Sequence, residues 1–152
     1  GGGFEIALSC DIIVAADHAK LGLPEPTVGL MAGAGGVHRL PRQVPLKIAM
    51  GMILTGKPLS AQRAYEVGVV NEVVSLSDLM ATAGRWADDI LKCAPLSVSA
   101  SKQCSMVGLE IGQEDALMRN YPMEDVMREA DDWVEGPKAF AEKRTPQWKG
   151  KQ

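Results

Sequence analysis

A mixed α/β unit followed by an all-helical tail is the fold the sequence predicts, and three features predict it. The first half carries short β-branched runs, Asp11 to Ala16 (DIIVAA) and Val69 to Val74, each next to turn-forming residues. Glycine and proline interrupt that half often enough to keep its elements short. From Ser77 onward the apolar residues fall instead at helical spacing. The division is placed after residue 75, giving an α/β portion over 1–75 and a helical region over 76–152.

Taken in order, Phe4 to Cys10 reads as a short apolar helix entered from Gly1-Gly2-Gly3. The DIIVAA strand follows and closes at Asp17-His18-Ala19, and Lys20 to Leu23 is a second extended piece stopped by Pro24. The glycine-rich stretch Val28 to Val37 (VGLMAGAGGV) reads as loop with at most one helix start. Pro45 fits the first position of a helix to about Leu54, ended by Thr55-Gly56. Ser60 caps another helix and Gly68 closes it, before the last strand at Val69 to Val74. Ser77 is the expected cap of a helix through Cys93, with Leu79, Ala83, Trp86, Ala87, Ile90 and Leu91 in one stripe. Pro95 opens the next helix. Gln113 to about Trp133 is helical with a break at Pro122, and Gly136-Pro137 begins a final helix through Lys143.

With 46% of 152 residues apolar, the chain has enough material to bury a core. A net charge of −3 provides no electrostatic footprint for nucleic acid. No apolar run is long enough to cross a bilayer and no signal peptide is visible, so neither nucleic acid nor membrane is expected as a partner. Cys10, Cys93 and Cys104 are odd in number and form no Cys-x-x-Cys pair, which predicts buried, reduced thiols in an intracellular protein, cytoplasmic or of the mitochondrial matrix. His18 and His38 lack metal-ligand spacing, and no metal is expected. The eight methionines, scattered through both halves, read as core filling. Three glycines at a start without methionine predict a piece of a longer chain.

Glycines followed at once by a helix favour negative charge, because the first helical N–H groups are unpaired and the helix dipole adds a positive end. Gly1-Gly2-Gly3 before Phe4-Glu5 fits that description, although three glycines in a row are more often a flexible end or a turn. The surrounding words sharpen the signal. GGGFEIALSCDIIVAADHAKLGLPEPTVGLMAGAGGVHRLPR, followed by LTGKPLSAQRAYEVGVVNEVV, resembles the enoyl-CoA hydratase/isomerase (crotonase) family over nearly the whole chain. The ending EGPKAFAEKRTPQWKGK is similar to that family's C-terminus, above all to its carnitinyl-CoA dehydratase branch.

The resemblance implies the C-terminal part of a spiral of strand–strand–helix units, followed by a helical region that assembles homotrimers, often paired into hexamers. It implies an enzyme of fatty acid metabolism that acts on acyl-CoA thioesters, adding or removing water across C2–C3, with no cofactor beyond the coenzyme A of the substrate. It places one oxyanion-hole N–H on Gly2, the acid/base glutamates on Glu5 and Glu25, and a backbone that positions water on Gly33. Trp148 and Lys149 match the tail residues that approach the coenzyme A nucleotide. Hydration needs a base for the water at C3 and an acid for the proton at C2, a division two carboxyl groups can share. An isolated glutamate is usually solvated, and Glu110, Glu114 and Glu124, which have no such context, are read that way.

Two departures stand out. Relatives often have Pro-Gly where this chain has Ala32-Gly33. The family's other oxyanion-hole N–H belongs to a loop upstream of the glycine run and has no counterpart in these residues. Three further readings stay open: a Δ3,Δ2-enoyl-CoA isomerase using one carboxylate, a specialised carnitinyl-CoA dehydratase-like member, and a non-catalytic acyl-CoA-binding subunit.

Overall fold

The computed structural model describes residues 1–151 and divides into two compact units, one over Gly1–Gly84 and one beginning at Arg85. The boundary lies within a helix rather than after residue 75, because the last strand of the first unit runs through a single turn into that helix with no linker between.

The first unit comprises α1 (Gly2–Ala7), β1 (Val14–Ala16), β2 (Lys20–Leu21), a 3-10 turn (Glu25–Val28), α2 (Gly36–Gln43), α3 (Leu46–Thr55), β3 (Leu59–Ser60), α4 (Ala61–Glu66), β4 (Glu72–Val74) and a second 3-10 turn (Leu76–Asp78) leading into α5 (Leu79–Leu91). β1 pairs in parallel with β4, in the register Val14 to Glu72 through Ala16 to Val74. β2 and β3 pair antiparallel, Lys20 opposite Ser60 and Leu21 opposite Leu59. The expected strand over Asp11 to Ala16 is shorter because Asn71 ends the ladder. Its backbone N–H donates to the Ile13 carbonyl at 2.8 Å, and its side-chain oxygen accepts from the Ile13 N–H at 2.9 Å.

The core of this unit combines Leu8, Leu23 and Leu40, all essentially inaccessible, with Phe4, Val44, Met52, Val69, Val70 and a set of alanines. Ala15, Ala32, Ala49, Ala61 and Ala64 let the short elements approach closely. Burial of each leucine contributes about 1.5–3 kcal/mol. Ser60 caps α4 as expected, its Oγ accepting from the Arg63 N–H at 3.1 Å. Gly56 ends α3 at a φ of 68°, where a side chain would be strained.

The one helix start allowed within the glycine-rich stretch is α2, which begins at Gly36 and continues through Pro41, a residue that removes one helical hydrogen bond. Tertiary contacts outweigh that cost: Leu40 is fully buried, and the Gln43 amide donates to the Leu8 carbonyl at 2.9 Å. Several expectations need correcting. Pro45 precedes α3 as its extended N-cap instead of opening it. Ser75, not Ser77, sits at the entry to the α5 segment, its Oγ donating to Asp78 at 2.7 Å. Cys10 and Cys93 are exposed and Cys104 is half-buried, so the thiols are not core residues. Among the described methionines only Met52 is fully in the core.

The second unit holds the remainder of α5 with α6 (Pro95–Gly108), α7 (Gln113–Met118), α8 (Pro122–Glu129) and α9 (Asp132–Ala141). α6 packs against α7 and α8. The Tyr121 hydroxyl donates to the Ala116 carbonyl at 3.0 Å, and the Gln103 side chain accepts from the Met123 N–H at 2.9 Å. α9 begins at Asp132 and carries Pro137 inside, four residues earlier than the expected start at Gly136. Among the described residues no helix is long and apolar enough to cross a membrane.

Candidate active site

Glu5 and Glu25 both lie in the first unit and both contact Gly1, Glu5 through its backbone and Glu25 through its side chain. The Gly1 carbonyl accepts the N–H groups of Phe4 at 2.8 Å and Glu5 at 3.2 Å, which starts α1 and fixes the backbone of Glu5. The Gly1 nitrogen donates to the Gly22 carbonyl and lies 3.6 Å from Glu25 Oε1.

Glu5 is only 5% exposed, unusual for a carboxylate. Its Oε1 accepts the N–H of Gly36 at 2.9 Å. Gly36 is the first residue of α2, so its N–H has no partner within that helix, and the helix dipole there favours an anion. The approach is close enough to require glycine. A Cβ at Gly36 would lie 2.9 Å from Leu23 Cδ2, 3.0 Å from Ala32 Cβ and 3.0 Å from Glu5 Oε1.

Glu25 opens the first 3-10 turn directly after Pro24 and accepts the Leu30 N–H at 3.0 Å through its backbone carbonyl. Its side chain is 15% exposed. Oε2 is sealed from solvent and has no hydrogen-bond partner among the described residues. A buried acceptor left unsatisfied costs about 1–3 kcal/mol, a burden a surface glutamate would not carry.

Gly2, at the start of α1, presents an N–H that donates to no acceptor among the described residues. A Cβ built on Gly2 meets nothing within 4 Å, so no neighbour in this chain accounts for the missing side chain. Gly33 is exposed, and its N–H donates to the Met31 carbonyl at 2.7 Å. Despite Ala32-Gly33 replacing Pro-Gly, this loop is tied down: Ala32 is buried, its carbonyl accepts the Val37 N–H at 3.3 Å, and Arg39 donates to the Ala34 carbonyl at 2.9 Å.

Gly2, Glu5, Glu25 and Gly33 thus all belong to the first unit, whereas Trp148 and Lys149 belong to the second. Trp148 is half-buried within its own unit. The absence of a side chain at Gly136 makes room for its ring, since a Cβ there would lie 3.2 Å from Trp148 Cη2. The indole N–H donates to the Lys92 carbonyl at 2.8 Å. Lys149 Nζ pairs with Asp131 at 2.8 Å, which raises the lysine pKa and lowers that of the aspartate.

Acidic groups of α9 hold the tail. Buried Asp132 accepts the backbone N–H groups of Lys149 at 2.8 Å and Gly150 at 2.9 Å. Glu135 receives both outer nitrogens of Arg144, at 2.6 and 2.9 Å, and the Gln147 N–H at 2.8 Å. The Arg144 hydrogen bonds, followed by that from Gln147, lower the Glu135 pKa from 4.5 to about 2. Sequence reasoning missed Gly36, Asp132 and Glu135. Only Gly36 left a local signal, as the last glycine before the helical residues VHRL. Of the glutamates read as solvated, Glu110 and Glu114 are exposed, while Glu124 is half-buried and accepts from Arg128 Nε at 3.1 Å.

A family model described as enoyl-CoA hydratase/isomerase matches residues 1–151. The chain belongs to the enoyl-CoA hydratase/isomerase family. It is 43% identical to a carnitinyl-CoA dehydratase from Proteus mirabilis and 42% identical to an (E)-benzylidenesuccinyl-CoA hydratase from Thauera aromatica, in each case over 99% of this chain and 59% of the relative. An enoyl-CoA hydratase crystal structure from Mycobacterium tuberculosis superposes with a TM-score of 0.93 at 38% identity, covering 98% of this chain and 59% of that one. One from Bacillus anthracis gives 0.90 at 39% identity, covering 99% and 58%. The chain therefore carries part of the crotonase fold and spans about three-fifths of the length of these relatives.

Proposed function

We propose that the protein is a hydro-lyase that adds or removes water across C2–C3 of an acyl-CoA thioester, with Glu5 and Glu25 as the acid/base pair. The observation carrying this reading is that one unit shields two carboxylates: Glu5 is 5% exposed with Oε1 on the Gly36 N–H, and Glu25 is 15% exposed with an Oε2 that has no partner among the described residues. Water addition requires one proton removed and another delivered, and paired carboxyl groups meet that need. Glu25 Oε2 retains acceptor capacity that no group among the described residues uses. The relatives named a dehydratase and a hydratase support the reaction class.

Gly2 supplies one donor to the thioester oxygen, which becomes enolate-like in the transition state. Its N–H is uncommitted, and the open space around its Cα admits a ligand. A water-positioning role for Gly33 falls to its carbonyl while its N–H is held by Met31. Coenzyme A enters as part of the substrate and no other cofactor is invoked. Trp148 and Lys149 are assigned to its nucleotide, where a phosphate would compete with Asp131 for Lys149. Assembly into trimers or hexamers fits the large apolar side chains that the second unit leaves exposed, among them Leu117, Met118 and Phe140.

The isomerase alternative needs a single carboxylate, and the shielding of both Glu5 and Glu25 favours hydration. Glu5→Gln and Glu25→Gln in the full-length protein should each lower kcat about 10²-fold or more on a crotonyl-type thioester. Labelled water should enter at C3. Near-native hydration by either variant overturns the assignment, and double-bond migration without label uptake identifies the isomerase.

A further inference from the structure

We infer that Gly36 is a positioning residue for this reaction, gripping one oxygen of the Glu5 carboxylate so that the other performs the proton transfer. The inference rests on the acid/base reading of Glu5. Glu5 Oε1 is committed to the Gly36 N–H at 2.9 Å, within a buried contact that spans thirty-one positions of sequence. No hydrogen bond among the described residues reaches Glu5 Oε2. The two oxygens therefore differ in kind: one anchored in the protein, the other available to a reacting molecule.

The anchor is a backbone N–H at the start of α2, with no helical partner of its own and little freedom to move. Ala32 and Leu23, both buried, stand close to the position a Gly36 Cβ would occupy, at 3.0 and 2.9 Å. A larger residue at Gly36 cannot move away from the carboxylate without displacing them. A catalytic carboxylate loses much of its effect when it leaves productive geometry by as little as about 1 Å. Gly36 would thereby couple the glycine-rich loop to the geometry of Glu5 without touching substrate.

Gly36→Ala would test this, read together with a relieved variant that adds Leu23→Val and Ala32→Gly. The relieved variant removes the two apolar clashes and retains the one with Glu5 Oε1. In whichever of the two keeps the native unfolding transition, kcat should fall about tenfold or more while KM changes less than about threefold. Introduced on top of Glu5→Gln, the same alanine should change the residual kcat less than about twofold, because residues acting as a unit are not additive. An undiminished kcat in the folded alanine variant, with Glu5→Gln inactive, overturns the role of Gly36 alone. Equal losses with and without Glu5→Gln also overturn it, since they mark a structural effect. An active Glu5→Gln instead removes the reading of Glu5 and this inference with it.

Discussion

The indole N–H of Trp148 donates to the Lys92 carbonyl at 2.8 Å, joining the end of the chain to the residue just past α5. The ring also fills the space left by the missing side chain of Gly136 on α9. Trp148→Ala should lower stability by about 1–3 kcal/mol, less than for a fully buried aromatic because the ring is only half-covered. Trp148→Phe, which keeps most of the ring and loses the donor, should cost about 1 kcal/mol. Denaturant midpoints measure both. Equal losses would mean that the hydrogen bond, not the packing, holds the tail.

The same tail tests the nucleotide assignment. If Trp148 and Lys149 contact coenzyme A, their joint replacement by alanine should raise KM more than it lowers kcat, because contacts remote from C2–C3 act similarly in ground and transition states. A short acyl-pantetheine without the nucleotide should be spared. Equal impairment with both substrates assigns the tail to folding or assembly.

Glu135 should make tail docking sensitive to acid. Its pKa in the folded chain, lowered by Arg144 and Gln147 to about 2, lies below the ordinary 4.5. The unfolded chain therefore takes up a proton first as pH falls. The stabilisation is full above about pH 4.5 and is lost progressively toward about 2. Unfolding midpoints collected between these limits should decline with acid, and Glu135→Gln should flatten that decline. An unchanged slope in the variant would show that the Arg144 pair is not retained in solution.

Gly2→Val examines the oxyanion donor. Nothing in this chain lies within 4 Å of a Cβ at Gly2, so the variant should fold. A branched residue in α1 should cost stability no more than glycine itself, whose backbone freedom disfavours helix by about 1 kcal/mol relative to alanine. Turnover should nevertheless fall by about 10²-fold or more, because the valine side chain obstructs the thioester and keeps its oxygen from the retained Gly2 N–H, an effect comparable to losing an oxyanion donor. A folded, fully active Gly2→Val places the oxyanion elsewhere.

Leu40→Ala should destabilise the first unit by about 2–5 kcal/mol, since its side chain is fully buried and lies on α2, the helix that carries Gly36. Thermal unfolding checks the loss. A cost below 1 kcal/mol would mean that α2 is not held by its apolar face.

The sequence by itself determined what short-range chemistry controls. Ser60 caps α4 through an N–H three residues away, Gly56 ends α3, Pro95 opens α6, and the order of family words marked the family and singled out as candidates Glu5, beside the glycine run, and Glu25, after Pro24. These features depend on groups a few positions apart, or on words that stand intact in the chain. The tertiary structure decided the rest. α2 crosses Pro41 because Leu40 is buried and Gln43 reaches Leu8, contacts that no local propensity contains. Gly36 meets Glu5 across thirty-one positions, and Asp132 holds the N–H groups of Lys149 and Gly150 across seventeen and eighteen. The carboxylates of Glu5 and Asp132 are buried where donors from distant positions of the chain satisfy them, and the identity of those donors is fixed by packing rather than by sequence neighbours.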